Sequence, residues 1–400
     1  MSPDPLDQGL LAPARLIAAA RDAAGLHDLG DDTLPARLAL LVEQITPRLD
    51  AEGQARAAAV LHGLLTERLA FFEARRRFPL ARERIERPII AMGEARSGTT
   101  VLQMLLGCDP ASRLLQFWEV MRPNPPPGVS DTAERRAACD ADWREILDLI
   151  PKWLVSHPYN DMLGRNPPEC ERTWAMDLRT LPPTAWWRAP MCGHLPPRIQ
   201  LPADHERQYQ LHTMTLQHLQ YGQPSRRWAL KGVGHQLRLK ALFEAYPDAV
   251  FVWIHRDPLQ AMASRFELHV QIYEAIMAQS AKAGPVDRAA FAQNTVETST
   301  ANFLHAAQTP LADDPRIHHL LYKDFTADPV GVIRGVYDRA GLAFTPAYEA
   351  AMRTWMAQNP PSKYGRFVYS PQGLGVDLAA LDRKLDPYRE RFGVPREHAK

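Results

Sequence analysis

Apolar residues recur three and four positions apart through the first 85 residues of the chain. The segments LLAPARLIAAARDAAG, LPARLALLVEQITPRL and EGQARAAAVLHGLLTERLAFFEARRR each place them on one face of a helix. No alternating strand pattern occurs in this region. Residues 1–85 are therefore predicted to form a helical N-terminal extension, followed by a second unit at residues 86–400.

From residue 86 onward, short apolar runs alternate with amphipathic stretches. The runs RPIIAMG, RRWALKG, DAVFVWIHR and RIHHLLYKDF predict four strands, and DAVFVWIHR is apolar enough to be buried on both faces. Helical patterns follow these runs in TTVLQMLLG, HQLRLKALFEAYP, LQAMASRFELHVQIYEAIMAQ and DPVGVIRGVYDRAG. This alternation predicts an α/β fold of three layers, with helices on both faces of a mostly parallel central sheet.

A long insert, at about residues 111–207, separates the first two predicted strands. It is rich in proline and contains Trp153, Trp174, Trp186 and Trp187. A segment of this length is expected to contain helices of its own. Its tryptophans could line a binding wall for an apolar or aromatic molecule or form the insert's own core, and the sequence leaves both open.

Composition and charge narrow the classes of protein. The formal net charge is +1, so no global field recruits nucleic acid or an anionic membrane. The four cysteines are scattered without a C-x-x-C pair, which argues against a disulfide scaffold or zinc site and fits a reducing compartment. Neither a signal peptide nor a membrane-spanning run is found. We predict a cytoplasmic protein without a metal, nucleic-acid binding or integral membrane association, and nothing in the sequence excludes a homodimer.

The stretch GEARSGTT resembles a phosphate-binding loop with one part changed. Gly93, Gly98 and Thr100 fit G-x-x-x-x-G-K-[ST], but Thr99 occupies the lysine position. Free N–H groups at the start of the following helix favour an anion. Further donors come from the side chains of Arg96, Ser97, Thr99 and Thr100. The loop is predicted to bind a phosphate, the alternative being a small-residue turn without a ligand.

A second anion-binding element is predicted in HRDPLQAMAS. Arg256 stands at a strand end, and Ser264 follows eight residues later in a helix. The carboxyl ends of the strands share one edge of the sheet, where open α/β sheets bind ligands. Arg256 and Ser264 are thus expected to hold a second phosphate of the same molecule, unless Arg256 only pairs with Asp257.

Four ordered blocks resemble the sulfotransferases that use 3′-phosphoadenosine 5′-phosphosulfate (PAPS), in particular their large bacterial branch. The blocks are RPIIAMGEARSGTTVLQMLLGCDP, RRWALKGVGHQLRLKALFEAYPDAVFVWIHRDPLQAMAS, LLYKDFTADPVGVIRGVYDRAGL and NPPSKYGRFVYSPQGLG, within about residues 86–395. The resemblance implies a P-loop-like sulfotransferase domain at residues 86–400, whose insert faces the acceptor. It also explains Thr99, because a phosphosulfate has no β- and γ-phosphates for a lysine to bridge.

The resemblance also implies roles for individual residues. The 5′-phosphosulfate would bind to Arg96, Ser97, Gly98, Thr99 and Thr100, and the 3′-phosphate to Arg256 and Ser264. Tyr322 would lie near the adenine, and a late loop with Lys363, Gly365 and Arg366 would close over the 3′-phosphate. PAPS would be the donor, its product 3′-phosphoadenosine 5′-phosphate (PAP) would leave, and no metal would be required.

Sulfuryl transfer requires a cation at the leaving oxygen and a base at the acceptor hydroxyl. Lys231 matches the family's catalytic lysine. Glu119 is the favoured base, and His235 is either the alternative base or a contact to the acceptor or bridging oxygen. In PPECERTW, three residues are expected to touch the acceptor: Glu169, Glu171 and Arg172.

The acceptor is predicted to be an alcohol or phenol of a small molecule or lipid, which the sequence does not identify. Two other functions remain open: a small-molecule kinase with a degenerate Walker loop, and an inactive nucleotide-binding regulatory protein. Thr99 counts against the kinase. The presence of Lys231, Glu119 and His235 counts against the inactive protein.

Overall fold

The computed structural model of the chain describes residues 9–179, 203–278, 285–361 and 363–397. Within these residues, one parallel sheet contains β1 (Ile89–Met92), β2 (Ser112–Leu114), β3 (Arg227–Gly232), β4 (Val250–His255) and β5 (Ile317–Leu321). The strand order is β2-β3-β1-β4-β5, and all neighbours are parallel. The predicted α/β class with a parallel sheet is confirmed, and β2 is a short edge strand that the apolar pattern did not predict.

Helices account for most of the remaining described chain. They are α1 (Pro13–Ala24), α2 (Leu34–Ile45), α3 (Ala51–Arg77), α4 (Thr99–Leu106), α5 (Phe117–Met121), α6 (Ala133–Leu149), α7 (Trp153–Ser156), α8 (His205–Gln220), α9 (Leu239–Ala245), α10 (Pro258–Met277), α11 (Arg288–Gln308), α12 (Tyr322–Ala327), α13 (Pro329–Arg339), α14 (Pro346–Gln358), α15 (Leu378–Lys384) and α16 (Asp386–Phe392). None of these helices combines the length and apolar character needed to cross a membrane.

The alternation of side chains along β1 divides the core into two layers. Ile90 and Met92 join an apolar cluster with residues of α9, α10 and α11. Ile89 and Ala91 face the opposite side, where α4, α13 and α14 complete a second cluster. Because successive strand residues point to opposite faces, both faces of the sheet are buried.

The fifth strand is shorter than its sequence pattern suggested. RIHHLLYKDF was expected to be extended throughout, but β5 ends at Leu321 and Tyr322 begins α12. Asp324 lies in the first turn of α12, where a negative charge stabilises the positive end of the helix dipole. The break moves Tyr322 out of the sheet and towards the loop after β1.

The N-terminal helices share a core with the insert. Ala175 and Leu178 of the insert belong to the same apolar cluster as residues of α1, α2 and α3. Trp153 and Trp174 are buried in the main core together with residues of the sheet and its helices, rather than in a core of the insert alone. Trp186 and Trp187, the other two wall-or-core candidates, lie outside the described residues. The boundary at residue 85 stays a prediction.

The topology brings three strand ends together. In the sheet, β3 and β2 lie on one side of β1, and β4 and β5 lie on the other side. Open α/β sheets bind ligands at such a switch point, outside the carboxyl ends of the strands. The loops after β1 and β4 and the last residues of β3 therefore form the candidate site.

Candidate active site

The loop between β1 and α4 depends on two glycines. Gly93 has a φ of 147°, and a Cβ there would stand 2.5 Å from the carbonyl oxygen of Ile254. Gly98 has a φ of 93°, and its Cβ would stand 3.0 Å from the Tyr322 ring. A side chain at either position would be strained and crowded. The sharp turn that follows places Thr99 as the first residue of α4.

The same loop has the donors of an anion site. The first N–H groups of α4 have no carbonyl partner within the helix, and the positive end of its dipole lies there. Ser97 is fully buried, and its Oγ has no hydrogen-bond partner among the described residues. A buried polar atom without a partner is costly. An oxygen of a phosphate or sulfuryl group would satisfy it.

Glu94 anchors the loop to the helices behind it. Its carboxylate accepts hydrogen bonds from Arg265 Nη1 on α10 and Asn302 Nδ2 on α11, each at 3.0 Å. Burial raises the pKa of Glu94, although the charge of Arg265 opposes that rise. This role was not predicted. It fixes the loop to α10 and α11, which are far from the loop in the sequence.

Arg96 links the loop to the second predicted anion-binding element. Its Nε donates to Ser264 Oγ at 2.9 Å, and its guanidinium lies 5.3 Å from the centre of the Phe367 ring. Arg256 Nη1 donates to the carbonyl oxygen of Arg96 at 2.9 Å. Burial and then the charge of Arg256 lower the pKa of Arg96 to about 10. The structure thus places the two predicted phosphate-binding elements in direct contact.

Arg256 already binds a carboxylate in the structure. Its Nε and Nη2 each lie 3.0 Å from an oxygen of Glu397, and Nη2 donates to the Tyr369 hydroxyl at 2.7 Å. The guanidinium stacks 4.4 Å from the centre of the Tyr322 ring. A guanidinium that holds a carboxylate in this forked way also matches the geometry of a phosphate. Sequence reasoning missed Glu397, Phe367 and Tyr369.

Lys231 lies near the end of β3 and pairs with the insert. Its side chain is buried, and Nζ donates to Glu169 Oε1 at 3.2 Å. Glu169 keeps 31% of its side-chain surface exposed, so solvent reaches it. Burial alone would raise the pKa of Glu169, but Lys231 and Arg172 lower it below the usual value. Glu169, expected to touch the acceptor, therefore lies beside the predicted catalytic lysine.

Two further partly exposed histidines, which sequence reasoning did not single out, surround the same cations. Burial and the charges of Arg96 and Lys231 hold the pKa of His157 well below its ordinary value. Burial, Arg265 and Arg96 lower the pKa of His269 to about 3. Both rings are therefore neutral. They come from the insert and from α10, and no spacing pattern connects them.

His235 lies in a layer of rings with Tyr209 and His212. It is fully buried, its Nδ1 lies 2.7 Å from the Tyr209 hydroxyl, and its Nε2 has no partner among the described residues. Nearby, Glu171 Oε1 accepts a hydrogen bond from the Gly234 N–H at 2.7 Å. A Cβ on Gly232 would stand 2.6 Å from His235 Nε2 and 2.9 Å from Glu171 Oε2, so glycine is required between them.

Glu119 has structural partners for both carboxylate oxygens. Oε2 accepts from the Gln116 N–H at 2.9 Å and completes the capping box of α5, and Oε1 pairs with Arg113. Glu119 borders a cavity shared with Gly107, which lies at the end of α4 away from the phosphate loop. These contacts favour a structural role. The sequence Gln-x-x-Glu at residues 116–119 was the local signal for it.

The late basic loop meets the site through its aromatic residues. Lys363 Nζ lies 2.5 Å from an oxygen of Asp161, and the Tyr364 hydroxyl donates to the same oxygen at 2.7 Å. Gly365 has a φ of 107°, and Arg366 is exposed. The loop therefore joins the insert on one side, while Phe367 and Tyr369 contact the two arginines. A contact of Lys363, Gly365 and Arg366 with a 3′-phosphate stays a prediction.

The fold and the site define a class of protein. A glycine turn without the Walker lysine lies beside cations from the ends of β1, β3 and β4, an arrangement that suits a compact polyanion. Within the described residues, no three His, Cys, Asp or Glu side chains gather as metal ligands would. The chain belongs to the sulfotransferase family, whose model matches residues 88–346.

Individual sulfotransferases resemble the chain over most of its length. Stf3 of Mycobacterium tuberculosis, an omega-hydroxy-beta-dihydromenaquinone-9 sulfotransferase, is 24% identical over 317 residues, which cover 77% of this chain and 76% of the relative. The crystal structure of sulfotransferase STF9 from Mycobacterium avium has a TM-score of 0.80 and 25% identity, covering 96% of this chain and 98% of that one. STF1 from M. tuberculosis has a TM-score of 0.68 and 25% identity, covering 93% and 97%. The predicted family is confirmed.

Proposed function

We propose that the protein transfers a sulfuryl group from PAPS to a hydroxyl of a small-molecule or lipid acceptor. The observation that carries the donor assignment is the direct contact between the phosphate loop and the element of Arg256, which creates two adjoining anion sites. A donor with a 5′-phosphosulfate and a separate 3′-phosphate matches two such sites. A nucleoside triphosphate carries no separate 3′-phosphate. In addition, Thr99 occupies the position of the lysine that would contact its β- and γ-phosphates.

The donor site assembles from residues already in contact. The 5′-phosphosulfate would bind to Arg96, Ser97, Gly98, Thr99 and Thr100, the 3′-phosphate to Arg256 and Ser264, and the adenine beside Tyr322. The unpartnered hydroxyl of Ser97 fits this assignment, because an anion oxygen would supply its missing partner. Tyr322 packs between Gly98 and Arg256, so its ring borders both anion sites.

Lys231 supplies the main electrostatic assistance in this proposal. When bound, PAPS supplies an activated sulfuryl group on a phosphate that can leave. The Lys231 ammonium would stabilise the charge that grows on the bridging oxygen. Because Lys231 is buried, its charge acts through a medium of lower effective dielectric than water. His235 is fully buried and hydrogen-bonded to Tyr209, so a contact with the acceptor would require a rearrangement there.

The acceptor class follows from the family and from one relative. Stf3 is a sulfotransferase of omega-hydroxy-beta-dihydromenaquinone-9. We extend to this chain only the chemical class, a hydroxyl on an apolar or lipid-like molecule. Labelled PAPS incubated with phenols, steroids, sugars and prenyl alcohols, including an omega-hydroxylated dihydromenaquinone, would identify the acceptor.

Nucleotide binding distinguishes this function from that of a kinase. PAP is expected to raise the melting temperature measured by differential scanning fluorimetry, because a ligand that binds only the native state stabilises it. ATP with magnesium is expected to give a much smaller shift. Adenosine 5′-phosphate, which lacks the 3′-phosphate, is the matched control and should fall between them. A larger shift with ATP and magnesium would contradict the sulfotransferase proposal.

Glu397 provides a sharper test of the 3′-phosphate site. Its carboxylate holds the guanidinium of Arg256, so a 3′-phosphate must displace it or bind against its negative charge. Glu397→Gln is expected to tighten PAP binding several-fold in titration calorimetry. The affinity for adenosine 5′-phosphate should change much less.

The control is Glu390→Gln, which removes the same charge from an exposed position on α16. Its PAP affinity is expected to equal that of the wild type. Unchanged PAP binding by Glu397→Gln would remove Arg256 from the proposed 3′-phosphate site. Weaker PAP binding would show that Glu397 positions the arginine for binding.

A further inference from the structure

We propose that Glu169 is the general base of sulfuryl transfer and that donor binding releases it from Lys231. This inference rests on the proposed function and names a residue that takes the acceptor proton. It replaces Glu119, whose two oxygens are engaged by Gln116 and Arg113. It also separates the two carboxylates of the PPECERTW segment by role.

Position is the first reason for choosing Glu169. Its Oε1 lies 3.2 Å from Lys231 Nζ, and nearly a third of its side chain is exposed. Glu171, two residues later, is tied to the Gly234 N–H and faces Gly232 and His235. Of these two carboxylates beside β3, Glu169 is therefore the one that both contacts the cation and is reached by solvent.

The neighbouring histidines are poorer proton acceptors. His157 and His269 lie close to Arg96, and burial together with that positive charge lowers the pKa of each. His235 is fully buried and held by Tyr209, so an acceptor hydroxyl cannot reach it without a rearrangement. A carboxylate that is already exposed requires no such movement.

The ion pair with Lys231 makes the basicity of Glu169 depend on the donor. In the free protein Lys231, Arg172 and His269 face Glu169, and the two cations lower its pKa. When the Lys231 ammonium turns to the bridging oxygen of the donor, its share of that lowering is lost. Glu169 then becomes more basic at the moment when the acceptor proton must be removed.

The step balances with groups that the proposal already names. A bond forms between the acceptor oxygen and sulfur as the bond between sulfur and the bridging phosphate oxygen breaks. The electron pair of the broken bond stays on that oxygen beside Lys231. The acceptor proton passes to the Glu169 carboxylate and later to solvent, which reaches that side chain. No oxidant, reductant or metal takes part in this balance.

Glu169→Gln tests the assignment with two acceptors of different acidity. With the lipid alcohol geranylgeraniol, kcat is expected to fall about 100-fold, the scale of a lost general base. 4-Nitrophenol ionises in mildly alkaline buffer and does not need a base on the protein. Its rate should therefore stay within about threefold of the wild type. Glu169→Asp should recover part of the alcohol rate.

PAP binding provides a readout that does not depend on turnover. Glutamine removes a negative charge beside the anion site and frees Lys231, so Glu169→Gln is expected to bind PAP several-fold more tightly in calorimetry. The exposed Glu206→Gln on α8 is the matched control and should behave as the wild type in both assays. A variant with a damaged fold would lose both PAP binding and transfer. Tighter PAP binding together with slower alcohol transfer would therefore indicate a specific role for Glu169.

Two results would overturn the assignment. Equal losses with geranylgeraniol and 4-nitrophenol would make Glu169 a positioning partner of Lys231, and weaker PAP binding would make its role structural. If the wild type binds no PAP, the proposed function itself fails. If the wild type binds PAP and transfers sulfuryl groups while Glu169→Gln matches it in rate, only the base assignment fails.

Discussion

Replacing Lys231 with alanine is expected to lower kcat for sulfuryl transfer about 1,000-fold, the upper range for loss of one preorganised transition-state contact. The ammonium is buried at the end of β3 and has Glu169 as its neighbour at 3.2 Å. Water cannot readily replace a buried charge at the leaving oxygen. The loop residues that would bind the donor are untouched, so PAP affinity should change far less than kcat.

Three comparisons keep this test interpretable. Lys231→Met retains the length of the side chain, and Lys231→Arg retains the charge but presents it as a planar fork rather than as a compact ammonium. Methionine should be as inactive as alanine, and arginine should recover part of the rate. Lys240→Ala on α9 removes an exposed lysine and should be fully active. Near-normal turnover of the alanine and methionine variants would exclude Lys231 from the chemical step.

Local patterns were sufficient to predict most of the sheet. The apolar runs containing β1, β3 and β4 are bounded by glycine, proline or charged residues, and these boundaries are encoded within a few residues of each strand. The edge strand β2 was not predicted, because it contains only Ser112, Arg113 and Leu114. A strand of three residues with two polar members has no period to detect, and it exists because β3 offers it a pairing edge.

The site was predictable where topology constrains it. Arg96 and Ser264 were expected near each other because parallel strand ends share one edge, and the structure joins them by a hydrogen bond of 2.9 Å. Glu397 was not predictable, because its approach to Arg256 depends on how the last helices fold back over the sheet. The same applies to His157 and His269. Both lie near Arg96, which is far from them in the sequence, and no local pattern encodes that contact.

Buried ion pairs connect the N-terminal helices to the insert. Asp177 is completely buried, and its Oδ1 accepts hydrogen bonds from Arg37 Nη2 at 2.8 Å and Arg68 Nη1 at 2.9 Å. Arg68 is itself completely buried and also donates to the Leu29 carbonyl oxygen at 2.7 Å. Desolvation lowers the pKa of Arg68 to about 10, so the guanidinium stays charged at neutral pH. Asp31 also pairs with Arg37 at 2.6 Å and lies 4.0 Å from Arg68, so two carboxylates compensate the two cations from α2 and α3. The second oxygen of Asp177 pairs with Arg179 of the insert at 2.6 Å.

Asp177→Asn is expected to lower the free energy of unfolding by about 3 kcal/mol, the lower end of the cost of breaking a buried ion pair, because Asp31 still faces both arginines. The amide keeps the shape of the carboxylate, so the loss would report charge rather than packing. Urea denaturation followed by circular dichroism would measure it. Hydrogen exchange would show whether α1, α2 and α3 lose protection before the sheet.

Asp142→Asn removes an exposed partner of Arg122 and is the matched control, for which little change is expected because solvent screens such pairs. An Asp177→Asn variant as stable as this control would show that water reaches the two arginines. The expected larger loss would instead mean that the extension depends on residue 177 of the insert for its own stability. A cut at residue 85 would then remove both arginines and leave Asp177 with Arg179, so the extension and the catalytic unit would not separate as independently folding parts.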